Sequence, residues 1–313
     1  METVLTFDPI EASEYVKRGG IVAFPTETVY GLGANVFDAA AVARIFEAKM
    51  RPADNPLIAH VSDVSQIGRL VQTITGSAEK LIDAFFPGPL TVVLAKSEAV
   101  PYIATAGLDT IGIRMPGYDL AHRFLVACGV PIVAPSANLS GKPSPTTWQA
   151  VKEDLDGRID CILQGDPTEI GLESTVVDCT SDRPMLLRLG SVSLSDLKKV
   201  VPDITEAQAT DPETARSPGL RHRHYSPRAH VVLTGDIGGS RMTENSAFIG
   251  LQRPSADFRL TKICRNAEEY ARLVFEFFRE CDRAGIETIY CETVPDDGIG
   301  AALNDRLRRA AEY

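Results

Sequence analysis

Short apolar runs that read as strands alternate with stretches of helical spacing from the first residues to about residue 200. Such alternation fits an α/β architecture and excludes a chain split into a block of helices and a block of sheet. Strands are expected at Ile21–Phe24, Leu57–Val61, Leu90–Ala95, Ile111–Met115, Ile132–Ala134, Ser174–Asp178 and Met185–Leu189. Helical spacing covers Asp38–Ala48, Ser77–Phe86, Asp119–Cys128 and Thr147–Leu155, with Asp38 standing where an N-cap is wanted. Several strands are joined by short turns rather than helices, so the sheet is expected to be mixed and strongly curved.

The periodicity stops at residues 203–229, which read DITEAQATDPETARSPGLRHRHYSPRA. The second half of this linker carries Arg216, Arg221, Arg223 and Arg228 with two histidines and no carboxylate, in a chain of net charge −10. A basic tether lying on an acidic surface is one account of it, and a functional segment is the other. Beyond it, His230–Thr234, Ser246–Gly250 and Ile286–Cys291 read as strands, and Ala267–Ala284 and Ala301–Glu312 as helices. At 313 residues the chain has about twice the usual single-domain length. The expected division is a first domain over 1–205, a basic linker over 206–229 and a small open α/β domain over 230–313.

Apolar residues make up 44% and charged ones 24%, a balance that excludes disordered, collagen-like and coiled-coil chains. The net charge of −10 opposes indiscriminate adhesion to nucleic-acid backbones or anionic membranes. Cys128, Cys161, Cys179, Cys264, Cys281 and Cys291 stand singly, with no C-x-x-C pair for a zinc ribbon or thioredoxin-like motif. They read as buried thiols of a reduced, cytoplasmic protein. No run approaches the roughly eighteen apolar residues of a membrane span, and the first residues lack the pattern of an export signal.

The common phosphate-loop, dinucleotide, nucleophile-elbow, zinc-protease and calcium-loop motifs are absent, so any nucleotide must be held by other means. Three stretches carry candidate chemistry. In Lys49-Met50-Arg51-Pro52, the proline favours extended backbone before it, and residues two apart then project side by side at roughly 6.6 Å. Two cations so placed suit a polyphosphate, and equally suit a solvated pair at a helix C-terminus. Ser136 and Asn138 repeat the two-apart spacing in a polar loop leaving a strand, where α/β ligand sites gather, although both are ordinary turn residues. Pro25-Thr26-Glu27-Thr28-Val29-Tyr30-Gly31-Leu32-Gly33 sets two hydroxyls around a carboxylate, with glycines for a tight turn or close approach.

In this order and spacing, the PTETVYGLG run, Lys49-x-Arg51 with Asn55-Pro56-Leu57, and Ser136-x-Asn138 resemble the signature of the L-threonylcarbamoyladenylate synthase family, whose catalytic unit is the YrdC-like domain. The resemblance extends to the linker, in Ser217-Pro-Gly and His224-Tyr225-Ser226-Pro227, and to the closing run from Gly298 to Ala311. It implies a YrdC-like curved mixed sheet with flanking helices and a concave pocket, followed by a small Rossmann-like open α/β domain. It implies a nucleotidyltransferase that joins L-threonine, bicarbonate and ATP into threonylcarbamoyl-AMP and pyrophosphate, towards threonylcarbamoyladenosine in tRNA.

By the same resemblance, Lys49 and Arg51 are the catalytic cations facing the phosphates. Thr28, His60, Arg114, Ala134 and Ser174 surround threonine, with Arg114 clamping its carboxylate. Asn55, Thr110, Ser136, Asn138, Ser144, Arg188 and Tyr225 stand on the ATP side. Magnesium is expected through the ATP phosphates, with no metal site and no prosthetic group of the protein's own. The linker becomes a lid over the pocket, with Tyr225 touching the nucleotide. The product would pass to a tRNA threonylcarbamoyl transferase complex, with no membrane and no need for direct tRNA binding. A double-stranded RNA-binding protein with a basic concave surface is the alternative, which the net charge opposes. A carbamoyl-transfer role in hydrogenase maturation is opposed by the missing C-x-x-C pairs.

Overall fold

The structure is a computed structural model that describes residues 2–207, 217, 225–235 and 245–312. The chain opens with β1 (Val4–Thr6), α1 (Pro9–Lys17), β2 (Val22–Phe24), β3 (Gly31–Asn35), α2 (Ala39–Lys49) and β4 (Ile58–His60). Next come α3 (Gly76–Phe85), β5 (Leu90–Ala95), β6 (Thr110–Arg114), α4 (Asp119–Cys128), β7 (Ile132–Val133) and α5 (Trp148–Leu155). Then follow β8 (Cys161–Leu163), β9 (Thr175–Asp178), β10 (Met185–Arg188), α6 (Leu194–Val200) and β11 (Thr205–Glu206). The C-terminal part holds β12 (His230–Thr234), β13 (Ser246–Gly250), β14 (Leu260–Ile263), α7 (Ala267–Arg283), β15 (Thr288–Glu292) and α8 (Gly298–Ala311).

Helix starts follow the capping side chains. Asp38 accepts the amides of Ala40 and Ala41, both at 3.0 Å, and Thr75, Thr147 and Asn266 cap α3, α5 and α7 in the same way. The long helix α7 buries Tyr270, Ala271, Val274, Phe275 and Phe278 against Ile249, Ile289, Leu303 and Leu307. Each Val, Ile, Leu or Phe side chain among them contributes about 1.5–3 kcal/mol by leaving water.

The first eleven strands form one mixed sheet in the order β1-β8-β2-β3-β7-β4-β6-β5-β9-β10-β11. Strands β2 and β10 stand third and tenth in that order, so seven steps of about 4.8 Å would place them about 34 Å apart in a flat sheet. Thr26, just after β2, and Arg188, at the end of β10, nevertheless line one cavity. The sheet therefore curls strongly, as the short turns foretell. The second sheet is all parallel, in the order β12-β15-β13-β14, with α7 as the crossover from β14 to β15.

Sequence and structure part company at several points. Gly31–Asn35 is a strand that was not among those expected, and its glycines serve close packing rather than a tight turn. A Cβ on Gly33 would lie 2.6 Å from Ile132 Cγ2 and 2.9 Å from the Phe24 ring. Helix α2 runs through Lys49 and ends at Met50 in the left-handed region, φ 52°. The extended, side-by-side geometry expected for Lys49 and Arg51 is therefore corrected: Lys49 is helical and the chain turns sharply before Arg51. Strands β1, β8, β11 and β14 and helices α1 and α6 were not anticipated either.

Contacts between the two sheets' elements are buried and specific. Arg279 of α7 donates to Asp154 Oδ2 of α5 at 2.8 Å and to the carbonyl of Pro143 at 2.5 Å. Arg306 of α8 donates to Glu173 Oε2 at 3.0 Å. Gly171, at φ +83°, approaches α7 so closely that a Cβ would lie 2.4 Å from the Arg272 Cα. Of the expected linker, residues 208–216 and 218–224 lie outside the described residues, with Arg216, Arg221 and Arg223 among them. Its far end is anchored: the Ser226 amide donates to the Gly141 carbonyl at 3.0 Å, and the Tyr225 ring stacks on Phe275 with centroids 5.4 Å apart. All six cysteines are buried and unpaired, and burial pushes the Cys128 thiol up to about 12, far from reactive thiolate. Among the described residues no helix is long and apolar enough to cross a membrane.

Candidate active site

A cavity of about 60 Å³ opens where the ends of distant strands meet. Of the expected residues, Thr28, Arg51, His60, Arg114, Ala134, Ser136, Ser174, Arg188 and Tyr225 line it. Thr26 and Glu173, which the sequence reading did not single out as ligands, line it as well. Lys49, Asn55, Thr110, Asn138 and Ser144 do not reach its surface. Thr110 begins β6 and Arg114 ends it, so about 13 Å of extended chain separates the two.

One wall is a chain of hydrogen bonds. Arg114 Nη1 donates to Thr28 Oγ1 at 2.7 Å, and Thr28 Oγ1 lies 2.9 Å from Thr26 Oγ1. The Thr26 hydroxyl donates to the Val29 carbonyl at 2.7 Å, so the Thr28 hydroxyl must be the donor between the two threonines. Arg114 Nη2 stands 2.7 Å from Glu27 Oε1, with both side chains nearly buried. Neither atom has an aligned hydrogen bond among the described residues. The contact is coulombic, and Nη2 keeps a donor for an incoming acceptor. Beside Arg114 in register is His60, whose ring stands edge-on to Phe24. Burial, and then the Arg114 charge, lower its pKa to about 3, so its imidazole is neutral at physiological pH.

The opposite wall is cationic. Arg188 donates from Nε and Nη2 to the Ser174 carbonyl at 3.1 and 2.9 Å, and from Nη2 to the Ser174 hydroxyl at 3.2 Å. Arg51 donates from Nε and Nη2 to the carbonyls of Asn55 and Pro56, at 3.2–3.3 Å. Burial lowers the Arg51 guanidinium to about 10, which leaves it charged at neutral pH. Behind it lies Lys49, whose Nζ donates to the carbonyls of Ser136 and Asn138, both at 2.6 Å. Lys49 thus braces the loop that carries Ser136. Burial, and then Arg51, push its pKa well below the lysine range. Within that loop Ser136 Oγ donates to Asn138 Oδ1 at 2.6 Å, while Asn138 Nδ2 holds the carbonyls of Leu139 and Lys142.

Glu173 is not among the residues expected from the sequence. It stands in Glu173-Ser174-Thr175 beside an expected residue, and that adjacency was the available signal. Three guanidinium groups converging on a cavity this small would repel one another, and a wall carboxylate offsets that. Among the described residues no group of three or more His, Cys, Asp or Glu side chains is placed to hold a metal ion.

Residues 14–190 match the Sua5/YciO/YrdC family, described as telomere recombination, and residues 192–312 match the C-terminal domain of threonylcarbamoyl-AMP synthase. The threonylcarbamoyl-AMP synthase of Pyrococcus abyssi is 44% identical, over 96% of this chain and 93% of its own length. That of Bacillus subtilis is 41% identical, over 98% of this chain and 94% of its own. The crystal structure of P. abyssi Sua5 complexed with L-threonine aligns over 100% of this chain and 97% of that one, with a TM-score of 0.91 at 42% identity. The chain belongs to the threonylcarbamoyl-AMP synthase family, with its Sua5/YrdC-type domain and its C-terminal domain both present.

Proposed function

We propose that the protein joins L-threonine, bicarbonate and ATP into threonylcarbamoyl-AMP and pyrophosphate, supplying a transferase that modifies tRNA. The observation that carries this reading is the convergence of Arg51, Arg114 and Arg188 on one buried cavity in a chain of net charge −10. Such placement suits several anions sharing one site. The P. abyssi relative crystallised with L-threonine supports the choice of amino acid.

The threonine amine adds to bicarbonate, water leaves, and a carbamate forms. A carbamate oxygen then attacks the α-phosphorus, and the bond to pyrophosphate breaks. No side-chain nucleophile takes part, so catalysis rests on positioning and on charge stabilisation. Arg114 Nη2 clamps the threonine carboxylate, Ala134 and the neutral His60 shape the side-chain end, and Ser174 with Thr28 supplies hydroxyls. Arg51 and Arg188 face the phosphates, while Lys49 holds the Ser136–Asn138 loop from behind. Magnesium arrives on the nucleotide's phosphates, since the nearby carboxylates Glu27 and Glu173 are engaged by Arg114 and Arg306. Ligand sites usually offer roughly 300–1,000 Å³, so a cavity of about 60 Å³ must widen to take ATP together with threonine. Tyr225, which lines the cavity, shifts to admit ATP, and its return keeps water from the adenylate.

Pyrophosphate release from Mg-ATP is the test, with threonine and bicarbonate each omitted in turn. Release is expected only when both are present, and release indifferent to either omission would sink the reading. Serine, lacking one methyl, is expected to be used about 10- to 200-fold less efficiently by kcat/KM than threonine.

A further inference from the structure

Arg306 sits in α8, in the C-terminal part of the chain, and is 1% exposed. Its Nε meets Glu173 Oε2 at 3.0 Å, and Glu173 Oε1 accepts the Ser144 hydroxyl. Its Nη2 donates to the Leu189 carbonyl at 2.9 Å, the residue directly after Arg188. Its guanidinium stands over the Tyr225 ring, 5.2 Å from the centroid. One buried side chain therefore touches three walls of the cavity: the segment entering β9, the end of β10 and the linker tyrosine. A charge buried this deeply is costly unless its donors are used, and here each arm has a partner, Asp305 taking Nη1.

We propose that Arg306 is a positioning residue for the catalytic cavity, acting through Glu173, so that the C-terminal part of the chain completes the active site. The proposal rests on the synthase reading given above. Glu173 faces Arg306 from α8, Arg188 from β10, Ser144 from the loop after β7 and Tyr225 from the linker. Burial alone would raise the Glu173 carboxyl, but the charges of Arg306 and Arg188 outweigh it and hold the group below its usual range. Remove Arg306 and burial gains ground: Glu173 binds a proton at higher pH, and the Ser144 hydroxyl loses an ionised acceptor. Arg279 provides an internal comparison. It too is buried between the two sheets' elements, on Asp154 and Pro143, but neither it nor Asp154 lines the cavity.

The test measures kcat and KM of the full-length protein from about pH 6 to about pH 9. Arg306→Met is expected to lose about tenfold or more in kcat/KM at the acid end, with the deficit shrinking as pH rises and Glu173 ionises. Arg306→Lys, keeping the charge, is expected to retain the wild-type pH profile and recover most of that loss. Glu173→Gln with Arg306→Met is expected to be no worse than Glu173→Gln alone, within about twofold. Arg279→Met should lose stability with a flat pH profile. A pH-independent deficit in Arg306→Met, or losses at 306 and 173 that simply add, would reduce Arg306 to a structural tie and overturn the proposal. If Arg306→Met does not fold, Arg306→Lys decides: an altered pH profile or no recovery overturns it. A wild type that releases pyrophosphate without threonine and bicarbonate defeats the synthase reading, whereas a dependent wild type with indifferent variants defeats only this proposal.

Discussion

Arg51→Ala is expected to lower kcat/KM for threonine-dependent pyrophosphate release by about 30- to 1,000-fold, the equivalent of about 2–4 kcal/mol of transition-state stabilisation. The guanidinium is buried and lines the cavity, and its bonds to the Asn55 and Pro56 carbonyls are long, at 3.2–3.3 Å. Long bonds to neutral carbonyls leave the charge free to strengthen towards a phosphate when one arrives. With its pKa at about 10, the group stays cationic throughout the neutral range, so the loss should not vary with pH below about 9. Arg51→Lys keeps a point charge but not the planar fork, and about a tenfold loss is expected of it. Steady-state kinetics across ATP concentrations read this directly. An Arg51→Ala protein with near-normal kcat/KM would remove the residue from the mechanism.

Arg114→Met is expected to cost about 3–5 kcal/mol of stability in urea unfolding, because it leaves the Glu27 carboxylate buried without its cation. The same change should raise the KM for threonine, since the donor of Nη2 disappears with it. The two effects can be separated. Glu27→Gln combined with Arg114→Met removes the stranded charge and is expected to restore most of the stability while threonine use stays impaired. Recovery of the threonine KM in the double variant would show that Arg114 serves only the fold.

Where an apolar run is long and clearly bounded, the sequence reads true to the residue, as at Leu90–Ala95, His230–Thr234 and Ser246–Gly250. Strands Val4–Thr6 and Cys161–Leu163 escape because three residues carry no periodicity; they exist by pairing with each other and with β2. Gly31–Asn35 escapes because its glycines lower strand propensity, and only the packing of Phe24 and Ile132 against Gly33 explains them. In the site, Arg114, Ser174 and Arg188 were expected from the resemblance alone, and the curled sheet brings them to one cavity from the end of β6, the entry to β9 and the end of β10. Lys49 was misjudged because α2 continues one residue past the expected end at Ala48, and the left-handed Met50 then turns the chain. The Glu173–Arg306 pair joins residues 133 positions apart, a juxtaposition that only the fold reveals.

The buried arginines at 279 and 306 also bear on how the molecule melts. Separating the C-terminal sheet from the larger one would break both buried arginine–carboxylate pairs and open the apolar contacts around them to water. The two sheets should therefore lose their structure together, as one calorimetric transition at neutral pH whose measured enthalpy matches the van't Hoff value. In both carboxylates, burial raises the pKa but the arginines outweigh it, so the native values lie below the usual range. Their contribution is therefore complete above the ordinary carboxylate range and is lost as pH falls through and below about 4. Cooperativity should fail first in acid, the single endotherm dividing into two as the protonated carboxyls release their partners.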